Sequence, residues 1–269
     1  MTADPSWITE EVDADQPSIA RLYDYLLGGT HNVESDRKLA REAMRAAPGL
    51  LKLVRENRSF LRRAVRHAVD AGIDQFLDLG SGIPTRGSVH QTAQALNPEA
   101  RVAYVDIDPV AVAHGRRLLA DNDRATAVQG SLLEPEAVFD SPEIRSVIDF
   151  DRPVALLFLS VLHFFSDDKV LPALKVYRDK VAPGSHLVFS VATNAENDDA
   201  ADMVRSIYAD AWADCVMRSR DEAALLLGDF TVLPPGIVFP VYWESGIPLG
   251  TETNPVHHNY FVGVGRKPE

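Results

Sequence analysis

The 269-residue chain carries a single cysteine, Cys215, so no internal disulfide can form, and the reading is a protein of a reducing compartment, the cytoplasm. Long apolar runs are also missing. The most apolar stretch, Pro153 to Phe165, falls short of the roughly 20 residues needed to span a bilayer and reads instead as a buried strand, so no membrane partner is expected. The start, Met1-Thr2-Ala3-Asp4-Pro5, lacks the basic end and hydrophobic segment of a secretion signal. Positive charge is scarce. With 27 Lys and Arg against 39 Asp and Glu, the net charge of -12 opposes a nucleic acid as partner and favours small molecules. Gly-x-Ser-x-Gly is absent, which removes support for a hydrolase nucleophile elbow. His257-His258 precedes a predicted strand, where successive side chains point to opposite faces, and no Cys or carboxylate stands at ligand spacing beside the pair, so no metal site is expected.

What is present suits one sizeable core, with 46% hydrophobic and 25% charged residues. Residues 1–16 read as an acidic, Pro-punctuated arm. From 17 to 72 the pattern is helical: Ser18 to Leu27, a break at Gly28-Gly29, then helices over Glu34–Ala46 and Pro48–Ala71 closed by Gly72. From 73 onward short apolar runs alternate with helical segments. Strands are predicted near Gln75–Leu79, Arg101–Val105, Ala125–Gln129, Pro153–Leu159 and Leu187–Val191, with helices near Val89–Leu96, Val110–Asn122 and Asp168–Val181. One or two helices follow between Asn197 and Leu227. Strands at Phe230–Leu233 and Tyr260–Val264, separated by a turn at Pro234-Pro235-Gly236, lack a crossover helix and so suggest an antiparallel edge. The expected fold is α/β: a doubly wound, mostly parallel, seven-stranded sheet with an antiparallel C-terminal strand, preceded by an N-terminal helical cap.

The first of these strands runs into Asp78-Leu79-Gly80-Ser81-Gly82, where glycines let the backbone approach an adenosine-bearing ligand. The next strand ends in Asp106, an acidic residue suited to take two ribose hydroxyls. Ile107 after it is free to lie on an adenine face, while Asp108-Pro109 reads as a helix cap. A dinucleotide fingerprint wants a third Gly or Ala where this chain has Thr85, and Pro84 removes one of the backbone N–H groups a pyrophosphate needs. The loop therefore suits a sulfonium cofactor, S-adenosylmethionine, better than a nicotinamide or flavin.

These residues resemble those of class I, Rossmann-like methyltransferases. With Ala20-Arg21-Leu22-Tyr23-Asp24-Tyr25-Leu26-Leu27-Gly28-Gly29, Arg58-Ser59-Phe60-Leu61-Arg62-Arg63-Ala64-Val65, Gly82-Ile83-Pro84-Thr85 and Val161-Leu162-His163-Phe164, the chain looks like a bacterial family of S-adenosyl methyltransferases of undefined acceptor, over nearly its whole length. The resemblance implies that S-adenosylmethionine is converted to S-adenosylhomocysteine and puts Asp78 near the methionine end of the cofactor. It implies further cofactor contacts at Gly80, Ser81, Gly82, Asp106, Ile107, Ser131, Leu132 and Ser160. Ser131 stands where many relatives have an Asp for the adenine amino group.

His163, after the fourth strand, is the candidate general base. Tyr23, Tyr25, His31 and Asn32, flanking the Gly28-Gly29 break, and Arg58 are candidates to line the acceptor pocket. Arg55, Arg62 and Arg66 fit a solvated helix face, with Asn57 and Arg58 as its exceptions. Trp7, Trp212 and Trp243 read as packing residues, although Trp243 could border a pocket. The activity expected is direct methyl transfer to a small-molecule acceptor. The alternative is a module that senses the cofactor or its demethylated product without turnover. No motif fixes an oligomeric state.

Overall fold

The computed structural model describes residues 15–46, 48–85, 87–193, 215–252 and 258–269. Most of the arm, with Trp7, and also Trp212 and His257 lie outside them.

Three helices come first, α1 (Ile19–Leu26), α2 (Glu34–Ala46) and α3 (Leu50–Asp70). Ser18 caps α1 by accepting from the Arg21 N–H. Along α3, Leu50, Leu53, Val54, Asn57, Phe60, Leu61, Ala64, Val65 and Ala68 are buried at spacings of three and four, the stripe of an amphipathic helix. The N-terminal half of that stripe shares a small apolar cluster with Leu22, Leu26, Ala40 and Ala43. The C-terminal half enters the main core. α3 is thus one rod fastened in two places. It begins at Leu50 rather than Pro48, which sits in the preceding turn, and gives way at Gly72, whose φ of 86° is easy for glycine.

The remainder alternates: β1 (Gln75–Leu79), α4 (Val89–Leu96), β2 (Arg101–Asp106), α5 (Pro109–Leu118), β3 (Ala125–Gln129), two short helices α6 (Pro135–Asp140) and α7 (Pro142–Arg145), β4 (Ala155–Leu159), α8 (Asp167–Lys180) and β5 (His186–Ala192). After residues 194–214, which are not described, come α9 (Arg220–Leu225), β6 (Thr231–Val232) and β7 (Tyr260–Arg266). β1 and β5 are buried at every position, and β4 at all but its last, because helices cover a parallel sheet on both faces.

The strands form one seven-stranded sheet in the order β3-β2-β1-β4-β5-β7-β6. Neighbours from β3 to β5 pair in parallel, and β7 pairs antiparallel with both β5 and β6, so six strands share a direction and the C-terminal one opposes them. β7 is not an edge: it lies between β5, to which it is bonded from His186↔Arg266 to Ala192↔Tyr260, and the short exposed β6. The strand predicted near Pro153–Leu159 ends at Leu159, although the apolar run continues to Phe165. Ser160 turns the chain at φ 55°, and a 3-10 turn follows over Leu162–Phe164. The chain order reverses at β1, between β2 and β4, and the crevice beyond the carboxyl ends of these strands is where such sheets hold ligands.

Candidate cofactor and acceptor site

Asp78 stands one residue from the end of buried β1, and the loop after the strand is pinned to its neighbour: the N–H groups of Gly80 and Ser81 both donate to the Val105 carbonyl, at 2.8 and 3.1 Å. Gly80 has φ 71°, and a Cβ there would lie 2.4 Å from Val161 Cγ2, so a side chain is barred both by conformation and by space. The Gly82 N–H donates to Asp106 Oδ2 at 2.7 Å, and the Asp108 N–H to Asp106 Oδ1 at 2.9 Å. One carboxylate therefore ties the glycine loop to the start of α5. Each of its oxygens keeps a further lone pair for a ligand hydroxyl.

Asp108 is the cap that its sequence context suggests, accepting from the Val110 N–H at 2.8 Å through Oδ1. Its Oδ2 accepts from the Ser18 hydroxyl at 2.7 Å, which joins the caps of α1 and α5 across the crevice. Ile107, between the two aspartates, is 71% exposed, an unusual position for a large apolar side chain unless a ligand covers it. Ser131 Oγ accepts from the Leu133 N–H at 3.1 Å and so shapes its own turn first.

The left-handed backbone of Ser160 costs on the order of 1–3 kcal/mol in a residue with a side chain. Two contacts hold it: its N–H donates to Ser190 Oγ at 2.8 Å, and its hydroxyl oxygen accepts from Asn57 Nδ2 at 2.7 Å. Asn57 Nδ2 also donates to Tyr23 Oη at 3.0 Å, leaving Asn57 Oδ1 buried without a hydrogen-bond partner. Arg58, next along α3, has its guanidinium 5.8 Å from the centre of the Tyr23 ring and its Nε likewise buried and unpartnered.

These residues enclose a cavity of about 640 Å³, within the range of cofactor and drug-sized sites. Asp78, Gly80, Ser81, Gly82, Asp106, Ile107, Ser131, Leu132 and Ser160 all line it. Of the residues read for the acceptor pocket, Tyr23 and Arg58 line it, while Tyr25, His31 and Asn32 do not. Tyr25 stands two residues from Tyr23 on a helix and so points to the far side, into the small cluster of the cap. The His31 N–H and Asn32 Nδ2 both donate to Asp24 Oδ2, a polar turn behind the cavity wall.

His163 does not line the cavity either. The turn at Ser160 sends Val161, Phe164 and Phe165 toward the opening and folds His163 inward, against the rings of Phe164 at 4.5 Å and Tyr260 at 5.7 Å. Burial, with Arg218 nearby, pushes its pKa down to about 3. Trp243 is fully buried in the core, edge-on to Phe60, and borders no part of the cavity. Arg55, Arg62 and Arg66 are exposed, as a solvated face requires. Sequence reading left Ser18, Leu61, Phe164 and Phe165 unmarked. Among the described residues, no group of three or more His, Cys, Asp or Glu is placed to hold a metal, and no helix is long and apolar enough to cross a membrane.

Burial raises the Asp78 carboxyl to about 7; Arg58 opposes the rise and Asp106 adds to it. Burial also raises Asp106, against the pull of its backbone donors. Asp78 is therefore neutral in the folded protein over a range in which the unfolded chain has ionised it, so its contribution to stability is present at low pH and is lost between about pH 4 and 7. His114, His163 and His186, each with a lowered pKa, pull the other way as pH rises. The Asp78 effect is thus isolated in a difference: relative to wild type, Asp78→Asn should gain stability steadily from pH 4 to 7 and then level off. Denaturant titrations of both proteins across that range check this, and a pH-independent difference would mean that Asp78 ionises normally.

The chain matches the family model described as S-adenosyl methyltransferase over residues 5–268. Among solved structures, it is 38% identical to a candidate methyltransferase from Thermobifida fusca YX, covering 98% of this chain and 100% of that one with a TM-score of 0.92. A DUF574 family protein from Streptomyces avermitilis MA-4680 is 32% identical, covering 95% and 99% of the two chains with a TM-score of 0.88. The N-methyltransferase NodS from Bradyrhizobium japonicum WM9, solved with S-adenosyl-L-homocysteine, shares the fold at 17% identity, covering 93% of this chain and 100% of that one with a TM-score of 0.53. No curated protein matches.

Proposed function

The chain belongs to the S-adenosyl methyltransferase family, whose cofactor is S-adenosylmethionine, and from that membership we propose that it is an enzyme transferring the methyl group directly to a small-molecule acceptor. The observation that carries the proposal is the extent of the cavity. Beyond the glycine loop and Asp106 it continues along a largely apolar wall of Leu27, Leu61, Val161, Phe164 and Phe165. A module that only sensed the cofactor would have no use for that extra space, and nothing else in the site favours the sensing role.

The residues present fit the cofactor. Asp78 and Asp106 suit its cationic and diol-bearing parts, Gly80 leaves the backbone bare, and the unpartnered Asn57 Oδ1 and Arg58 Nε are polar atoms without an internal use. In this reading Asp106, Ile107, Ser131 and Leu132 hold the adenosine end, and Asp78, Gly80, Ser81, Gly82 and Ser160 the methionine end. The cofactor, when bound, supplies a methyl group already activated by positive sulfur. The protein's task is to align the acceptor and exclude water, and α1, lying over the loop with Ala20 3.8 Å from a Cβ built on Gly82, suits the second part. His163 does not line the cavity, so it is not the group that takes a proton from the acceptor. The lone cysteine fits a cytoplasmic site of action.

Incubation with methyl-labelled S-adenosylmethionine and a fractionated small-molecule extract is expected to give a labelled product. Tight cofactor binding with no transfer to any fraction would return the sensing role to first place.

A further inference from the structure

One corner of the cavity is built to receive negative charge. The guanidinium of Arg58 lies against the Tyr23 ring, and its stem rests on Gly87, where an added Cβ would be 3.8 Å from Arg58 Cδ. Its one hydrogen bond to the described residues is a long contact from Nη1 to the Gly87 carbonyl at 3.5 Å, and its Nε is buried without a partner. The side chain is thus held in place from the outside while the donors of its fork remain unspent.

Asn57, 3% exposed, completes the corner. By donating to both Tyr23 Oη and Ser160 Oγ it fills an acceptor position on each hydroxyl, which turns their hydrogens toward other partners. No described residue accepts from either hydroxyl. A guanidinium and two hydroxyl hydrogens that face one cavity with no acceptor among the described residues form a cluster of donors suited to an anion, and a planar carboxylate matches the fork of an arginine.

Asp78 lines the same cavity and carries the opposite sign once ionised, above about pH 7 or when a cation is bound beside it. A carboxylate seat beside an acidic group is the pattern for an α-amino acid, with its ammonium on one side and its carboxylate on the other. We propose that Arg58, flanked by the hydroxyls of Tyr23 and Ser160, is a carboxylate-binding subsite that holds the methionine carboxylate of the cofactor. This rests on the cofactor reading above and moves Tyr23 and Arg58 from the acceptor pocket to the cofactor's methionine end. Asn57 is a positioning residue, orienting the two hydroxyls from behind.

The test compares S-adenosylhomocysteine with its decarboxylated analogue by calorimetry. Wild type should bind the carboxylate-bearing ligand about 10- to 100-fold more tightly, the effect of a charged hydrogen-bonded pair. R58Q should lose that factor for S-adenosylhomocysteine and stay within about twofold for the analogue, while R58K, a point charge without the fork, should fall between. Equal wild-type affinity for the two ligands would overturn the proposal without needing a folded variant. So would an R58Q variant that weakens both ligands alike, or one that leaves S-adenosylhomocysteine unchanged, the result expected if Arg58 served an acidic acceptor. If wild type bound neither ligand, the cofactor reading itself would fall, and this proposal with it.

Discussion

Asp36→Ala is expected to lower stability by about 3–5 kcal/mol, the cost of breaking a buried ion pair from one side. Asp36 and Arg21 pair at 2.8 Å with side chains 0% and 3% exposed. The same carboxylate accepts from the Ser18 N–H at 2.9 Å and the Val33 N–H at 2.8 Å, so its removal breaks the ion pair and strands two backbone donors together. Because Ser18 also donates to Asp108, the loss should spread to the cofactor crevice, and S-adenosylhomocysteine affinity should fall with stability. Denaturant unfolding gives the first quantity and calorimetry the second. The double variant Arg21→Met, Asp36→Leu should regain only part of the stability: apolar groups of similar size can replace a buried pair, but the Ser18 and Val33 N–H groups stay without their acceptor. A single-variant cost below about 1 kcal/mol would show that the pair is solvated in solution.

The residues behind this prediction show where sequence reading stops. Arg21 and Asp36 are fifteen positions apart, and Ser18 and Asp108 ninety, and no local period links such pairs. What was legible had a local cause. The stripe on α3 follows from spacing alone, and it singles out Asn57, a polar residue on an apolar face between Leu53 and Leu61. The glycine loop, Asp106 and the cap at Asp108 were legible because each answers to the conformation of its own few residues.

His163 escaped for the opposite reason. Its placement depends on Ser160 adopting a left-handed conformation, which a serine does not announce and which contacts from Asn57 and Ser190 sustain. A straight continuation of β4 would have kept the apolar run extended as far as Phe165. The short helices α6 and α7 were missed because neither is long enough to show a period.

Gly80→Ala should reduce S-adenosylhomocysteine binding by at least about 30-fold. Two effects add: a left-handed alanine costs about 1–2 kcal/mol and overpacking about 1–3 kcal/mol. The new methyl group would lie 2.4 Å from Val161 Cγ2 and 2.8 Å from its Cβ, so the loop must lift away from the strand that holds it. Adding Val161→Ala removes the nearest atom, Cγ2, while leaving Cβ, and should return part of the affinity, while the conformational cost stays. Undiminished binding by Gly80→Ala would mean that the loop does not touch the cofactor. Equal loss in the single and double variants would assign the whole effect to φ.

The position of β7 bears on how the chain is made. β5 is complete at Ala192, yet the partner for its outer edge is Tyr260–Arg266, nearly seventy residues later. On a ribosome adding about 5–20 residues per second, a strand buried in the finished fold would wait several seconds with its outer edge unpaired before the last strand slid in beside it. The nascent protein is most open to aggregation during that interval.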